Sequence, residues 1–147
     1  MIVKAKLDCS YRWSHPNVYV FTGSPVTKLD GSLVMAAGAA LEISKANPGA
    51  SKQLGALVSG NPGTCLEFKD IGFNQWVGWM KVRKHWANRP DVEIIRESTA
   101  QLASIARLHS GIIFHCAYPK TSVKEQAVIN TILDELPNNV IFYVSCY

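Results

Sequence analysis

Two consecutive helix-then-strand units near the end of the chain constrain its fold more than any other feature. Over Asp91–His109, the residues Val92, Ile95, Thr99, Leu102, Ala106 and His109 recur at steps of three or four and form one apolar stripe. Pro90 suits the first turn, acidic Asp91, Glu93 and Glu97 lie near the start, Arg107 and His109 lie near the end, and Gly111 stops the helix. Ile112–Ala117 follows as a short β-prone apolar run, the pattern of a central strand covered on both faces. Tyr118-Pro119 ends it, and Lys120-Thr121-Ser122 leads into a second helix, with Ser122 and Glu125 at capping-box spacing. Ile132, Leu133 and Leu136 pack that helix, Pro137 ends it, and Asn138-Asn139 turns into a last strand, Val140–Val144. Two such units in a row predict an α/β fold: three α/β/α layers around a mixed, mostly parallel sheet. Ligands of such sheets bind beyond the carboxyl ends of the strands, where turns 36–40 and 118–122 are expected to meet.

The first half supplies the remaining strands. Met1–Leu7 and Val18–Phe21 are apolar stretches, the second closed by the turn Thr22-Gly23-Ser24-Pro25. Ala50–Ser59 predicts a short helix ended by Gly60-Asn61-Pro62-Gly63. Thr64–Lys69 and Gln75–Arg83 predict a hairpin, because Trp76, Val77, Trp79 and Met80 favour a half-buried strand.

The segment Asp30–Gly49 carries the strongest functional signal. Leu33-Val34-Met35 has the length of a buried strand end, and Ala36-Ala37-Gly38-Ala39-Ala40 has no side chain larger than a methyl group. From Leu41 the pattern is helical until Asn47-Pro48-Gly49. A strand running through such a turn into a helix leaves N–H groups bare at the positive end of the helix dipole, which suits a phosphate or diphosphate. An Ala-rich helix packed tightly on a sheet would give the same spacing.

Met35–Pro48 resembles the Met-Gly-x-Gly-x-Ala…Phe/Tyr-Pro segment of macrodomains, the ADP-ribose-binding α/β modules. The resemblance is to the branch that holds small bacterial and phage members and the terminal ADP-ribose glycohydrolases. It implies that Met35, Ala36, Ala37, Gly38 and Ala39 lie under the distal ribose and diphosphate of an ADP-ribose-like nucleotide. The family's first glycine is Ala36 here, and its second survives as Gly38. The family also ends a strand in Gly-Asp, whose carboxylate takes the adenine amino group. Here the pair is Gly23-Ser24, on a connection to Gly31 short enough to trim that rim of the site.

Lys81–Arg89 is the most basic stretch, and alternation puts Lys81 and Arg83 on one face, Val82 and Lys84 on the other. The glycohydrolase-like macrodomains place a lysine at the corresponding strand end, which the resemblance matches to Arg83 or Lys84. Arg83 would hold a phosphate, while Lys84 is the one candidate catalytic residue, as a desolvated nucleophile. A solvated basic strand end is the plain alternative. Trp86 and Tyr118 are the expected base-stacking rings.

The family's Gly-rich loop around the diphosphate, with the catalytic Asp of the hydrolase branch, is replaced here by Tyr118-Pro119-Lys120-Thr121-Ser122. Tyr118, Lys120, Thr121, Ser122 and the following N–H groups remain as phosphate donors. No carboxylate precedes Glu125, whose spacing fits a cap. The resemblance therefore implies a binder without turnover, a sensor or sequestering protein, ahead of a hydrolase of ADP-ribosyl bonds or ADP-ribose phosphate. A basic nucleic-acid or protein-interaction module resting on residues 81–89 is the third reading.

The 147 residues predict one domain, 1–147, with 48% hydrophobic and 18% charged residues as in a globular chain. No apolar run reaches bilayer length, and Met1-Ile2-Val3-Lys4 is not a signal peptide, so no membrane partner is expected. Cys9, Cys65, Cys116 and Cys146 make no Cys-x-x-Cys pair, which favours reduced thiols in a cytoplasm. His15, His85, His109 and His115 share no ligand spacing, so neither metal nor cofactor is expected. Adjacent His115 and Cys116 would point to opposite faces of a strand and cannot pair as base and nucleophile. The formal charge of +4 fits an anionic ligand without arguing for nucleic acid, and homo-oligomerisation is left open.

Overall fold

A computed structural model describes residues 1–7, 16–35, 38–72 and 74–146. Its elements run β1 (Ile2–Leu7), β2 (Asn17–Gly23), α1 (Gly38–Ala46), α2 (Ala50–Gly60), β3 (Leu66–Asp70), β4 (Trp76–Lys81), α3 (Val92–Leu108), β5 (Ile113–Ala117), α4 (Val123–Asp134) and β6 (Val140–Cys146). The six strands form one sheet in the order β1-β6-β5-β2-β4-β3. All neighbours are parallel except β3, which pairs antiparallel with β4 as the predicted hairpin. The mixed, mostly parallel α/β architecture is therefore the one expected. No helix among the described residues is long and apolar enough to cross a membrane.

Strand alternation builds two cores. On one face Val18, Val20, Met80, Phe114, Cys116 and Phe142 pack under Ile95, Leu102 and Ala106 of α3 and Ile129 and Leu133 of α4. On the other, Tyr19, Phe21, Val77, Trp79 and Ala117 pack under Ala39, Ala40 and Ile43 of α1 and Leu54 and Val58 of α2. Gly78 makes the first core fit, since a Cβ there would lie 2.6 Å from the Phe68 ring. His115 and Cys116 do point to opposite faces: His115 bonds Tyr143, which packs on the α1/α2 core, whereas Cys116 sits in the α3/α4 core.

Three local expectations need correction. Leu33–Met35 is not a strand; its only pairing there is an isolated antiparallel bridge between Thr27 and Leu33. Helix α1 starts at Gly38 rather than Leu41. His109 is exposed and caps α3, because the chain has already left helical geometry there (φ −122°, ψ 59°), while Asp91 at the other end accepts from the N–H groups of Glu93 and Ile94.

Candidate functional site

Because β2, β4, β5 and β6 run parallel, their carboxyl ends share one edge of the sheet, and a cleft of about 520 Å³ opens there. Its walls are Thr22, Gly23 and Ser24 after β2, Arg83 and Trp86 after β4, and Ala117 to Lys120 after β5. Val144 of β6, Val34 and the first turn of α1 (Gly38, Ala39, Ala40) complete it. The volume is in the range that holds a nucleotide-sized ligand.

The α1 wall is set by a contact far away in sequence. Thr27–Leu33 folds as a small hairpin, with the Lys28 N–H donating to Ser32 O (2.8 Å) and Asp30 accepting from the Ser32 N–H and hydroxyl. Helix α2 presses on its returning arm: Leu33 N–H donates to Ser51 O, and a Cβ on Gly55 would stand 2.1 Å from Gly31 O. This approach, closer than any side chain allows, holds Leu33 and Met35 in the core beneath α1. Met35 is therefore buried support and does not line the cleft. Gly38 opens the helix at φ +60°, a conformation that suits glycine, with open space where its Cβ would be. The calls on Ala36 and Ala37 lie outside the described residues.

Gly23 ends β2, which is flanked by β5 and β4, and Ser24 follows it; both line the cleft. Ser24 is 2% exposed and its Oγ has no hydrogen-bond partner; the same is true of Trp79 Nε1 and Arg83 Nε. These are the buried side-chain polar atoms without partners among the described residues, and all three belong to this end of the sheet. The indole nitrogen lies beneath Gly23, where a Cβ would be 3.3 Å from it. Each such atom costs about 1–3 kcal/mol when left unpaired.

The strand order also separates the two basic candidates. Strand β4 ends at Lys81, Val82 N–H donates to Gly23 O, and Val82 is fully buried. Arg83 is thereby turned to the cleft, whereas Lys84 is exposed and does not line it. Burial lowers the Arg83 pKa, and no carboxylate lies within ion-pair distance among the described residues. Its Nη1 donates only to Asn88 O, 3.2 Å away within the same loop. Trp86, which stacks at 5.2 Å on His85, reaches the cleft from that loop.

The 118–122 turn is already occupied by its own helix. Gln126 accepts the Thr121 N–H through Oε1 (2.9 Å) and donates through Nε2 to Pro119 O and Asn130 Oδ1. The Thr121 hydroxyl donates to Glu125 (3.0 Å), and the Tyr118 hydroxyl to Asn130. Ser122 is the N-cap residue but its side chain makes no cap bond, so the capping box is absent and Thr121 holds the glutamate instead. Neither Thr121 nor Ser122 lines the cleft, in contrast to Tyr118 and Lys120. The hydroxyls of Tyr118 and Thr121 and the Thr121 N–H are thus bonded within the turn and α4. This leaves Lys120 as the polar side chain of this turn that faces the cleft with no internal bond among those described.

Of the expected site residues, Gly23, Ser24, Gly38, Ala39, Arg83, Tyr118 and Lys120 come together around the cleft. Thr22, Val34, Ala40, Ala117, Pro119 and Val144 are added; being small or apolar, they carried no chemical signal in the sequence. Behind β5, His115 bonds the Tyr143 hydroxyl and Asn17 Oδ1, and burial takes its pKa down to about 4.

No protein-family model matches this sequence, and no curated protein matches it at a significant level. Solved structures do. The macrodomain of Mycobacterium tuberculosis DarG superposes with a TM-score of 0.69 at 17% identity, over 97% of each chain. The macrodomain of Thermus aquaticus DarG gives 0.65 at 16% identity, over 88% of this chain and 87% of that one. Thermosipho africanus DarTG in complex with ADP-ribose gives 0.65 at 12% identity, over 86% of this chain and 37% of that one.

Proposed function

We propose that this chain, which has the macrodomain fold, binds an ADP-ribose-like or other NAD-derived nucleotide in the cleft and releases it unchanged. One observation carries the reading. The first turn of α1, two cations (Arg83 and Lys120) and two aromatic rings (Trp86 and Tyr118) converge on a cleft that no acidic residue lines among those described. A diphosphate beside Gly38 meets helix N–H groups and the positive end of their dipole, and the rings offer apolar faces to a base. That one similar structure is described as a complex with ADP-ribose supports the ligand class.

Turnover needs a titratable group within reach of the scissile bond, worth about 10²–10⁴-fold in rate. The groups around this cleft stabilise negative charge without supplying a base for water, and Lys84, the one candidate nucleophile, is exposed outside it. A sensor or sequestering protein therefore stands ahead of a hydrolase acting on ADP-ribosyl bonds or ADP-ribose phosphate. The test is titration calorimetry with ADP-ribose, followed by denaturation and chromatography of the nucleotide. Saturable binding with full recovery of the input is expected. Time-dependent conversion would put the hydrolase first, and absence of binding by every NAD-derived nucleotide tried would reject the cleft as a nucleotide site.

A further inference from the structure

We propose that Lys84–Arg89 is a flap that closes over the occupied cleft, with the Trp86 ring as its clasp, so that a gate controls the release of the nucleotide. The proposal rests on the nucleotide reading above and concerns how that site lets its ligand go. Six consecutive residues, Lys84 to Arg89, are exposed between a fully buried Val82 and a buried Pro90. Their hydrogen bonds stay within the loop: the Ala87 N–H donates to His85 Nδ1 (3.2 Å), the Asn88 N–H to His85 O (3.0 Å) and Arg83 Nη1 to Asn88 O (3.2 Å). No hydrogen bond or ion pair ties Lys84–Arg89 to another element among the described residues. The neck, by contrast, is pinned, with the Val82 N–H on Gly23 O (3.0 Å) and the Asp91 N–H on Val82 O (2.7 Å). A loop bonded to itself and anchored only at its neck can swing there as a unit, at little cost in contacts.

A ligand closes a flap only through groups that interact differently once it is bound. Trp86, in the middle of the exposed run, lines the cleft yet is 56% exposed, and the ring it stacks on is His85 of the same loop. A bound nucleotide gives this indole a flat face to cover, which takes apolar area of both out of water. Arg83 holds the returning arm through its bond to Asn88 O, while its buried Nε–H has no partner. An anion that draws the guanidinium away from Asn88 O frees that arm. Charge sets the resting position. Lys81–Pro90 contains no acidic residue, and the cleft lining carries Arg83 and Lys120 without a carboxylate among the described residues. The empty cleft therefore repels the flap, and an anionic ligand reverses the sign.

The experiment follows amide hydrogen exchange by mass spectrometry and ligand release by stopped flow, with ADP-ribose as the probe and calorimetry to establish saturation. Exchange over residues 84–89 should be fast in the free chain and slow by at least about tenfold at saturation. Trp86→Ala should associate at a rate within about threefold of the parent but release at least about tenfold faster. At saturating ADP-ribose that variant should also lose the slowed exchange, and Trp86→Phe, which keeps a flat ring, should restore both properties. A fixed wall behaves differently, because its amides exchange alike with and without ligand whatever Trp86 adds to affinity. Unchanged exchange over 84–89 at saturation, or slowed exchange that survives in Trp86→Ala, overturns the flap and leaves the nucleotide cleft standing. Absence of calorimetric binding by ADP-ribose and every other NAD-derived nucleotide tried overturns the cleft and the flap together.

Discussion

The loops after β4 and β5 occupy like positions, each leaving the carboxyl end of a parallel strand and leading into a helix, yet they use their polar groups in opposite ways. After β5, Gln126 and Asn130 of α4 reach back and bond Tyr118, Pro119 and Thr121, so the wall is complete without a ligand. After β4, the ends of the loop are tied together by the Asp91 N–H to Val82 O bond (2.7 Å), while Arg83 inside it keeps a buried N–H without a partner. The first loop is scaffold by this measure and the second is held ready for something else. Its cost falls on the free protein, as expected of a site organised before its ligand arrives.

The largest expected effect tests the open side. Arg83→Ala should weaken ADP-ribose binding by about 1.5–3 kcal/mol, or roughly 10- to 150-fold, if a charged hydrogen bond to a phosphate is lost. The melting temperature should not fall, because burial already lowers the pKa of this guanidinium and no ion pair holds it among the described residues. Lys84→Ala should change affinity less than about twofold, since an exposed charge is screened by solvent. Calorimetry that finds the two variants alike would reduce the basic segment to a solvated edge and erase the contrast between the loops.

The converse effect belongs to the closed side. Gln126→Ala removes three bonds that hold residues 119–121 and 130, leaving the Thr121 N–H to find another acceptor. A loss of about 1–2 kcal/mol is expected, which lowers Tm by roughly 2–8 °C in a chain of this size. Nucleotide affinity should move by less than about threefold, because neither Gln126 nor Thr121 lines the cleft. Large loss of binding with unchanged Tm would show that this turn serves the ligand after all.

Much of the fold was legible because its signals are local. The stripe of α3, the doubly covered run of β5 and the punctuation at Pro90, Gly111 and Pro137 are each read from a short continuous stretch of chain, and the resulting order of elements leaves few topologies. The cleft was legible only in part, since its decisive contacts are non-local. Nothing near Leu33–Met35 announces that α2 will press on it through Gly55, which is why an apolar run expected as a strand became a bridged loop. Alternation separated Arg83 from Lys84, but the face that looks into the cleft depends on how Val82 is held by Gly23 of the neighbouring strand. Ser122 and Glu125 had the spacing of a cap, and Thr121 won the glutamate. Trp79 was expected on a half-buried strand and is fully buried in it; its nitrogen lies beneath Gly23, 56 residues earlier, a contact no local pattern announces.

The smallest effect is a difference in sign, and it bears most directly on the contrast between the loops. Ser24→Ala deletes a buried hydroxyl that bonds nothing among the described residues, while its methyl keeps most of the volume. Removing an unpaired polar atom relieves its desolvation, so the free protein should gain up to about 1 kcal/mol and melt up to a few degrees higher. Thr121→Ala, one strand away, deletes a hydroxyl bonded to Glu125 at 3.0 Å on the surface and should lose about 0.5 kcal/mol. Each is within reach of differential scanning calorimetry on the ligand-free protein, which requires no knowledge of the nucleotide. Opposite signs are what an unfilled recess beside a completed wall demands. If Ser24→Ala melts lower than the parent by as much as Thr121→Ala, the hydroxyl has a partner in the free chain, and the recess is ordinary packing that no ligand group is needed to complete.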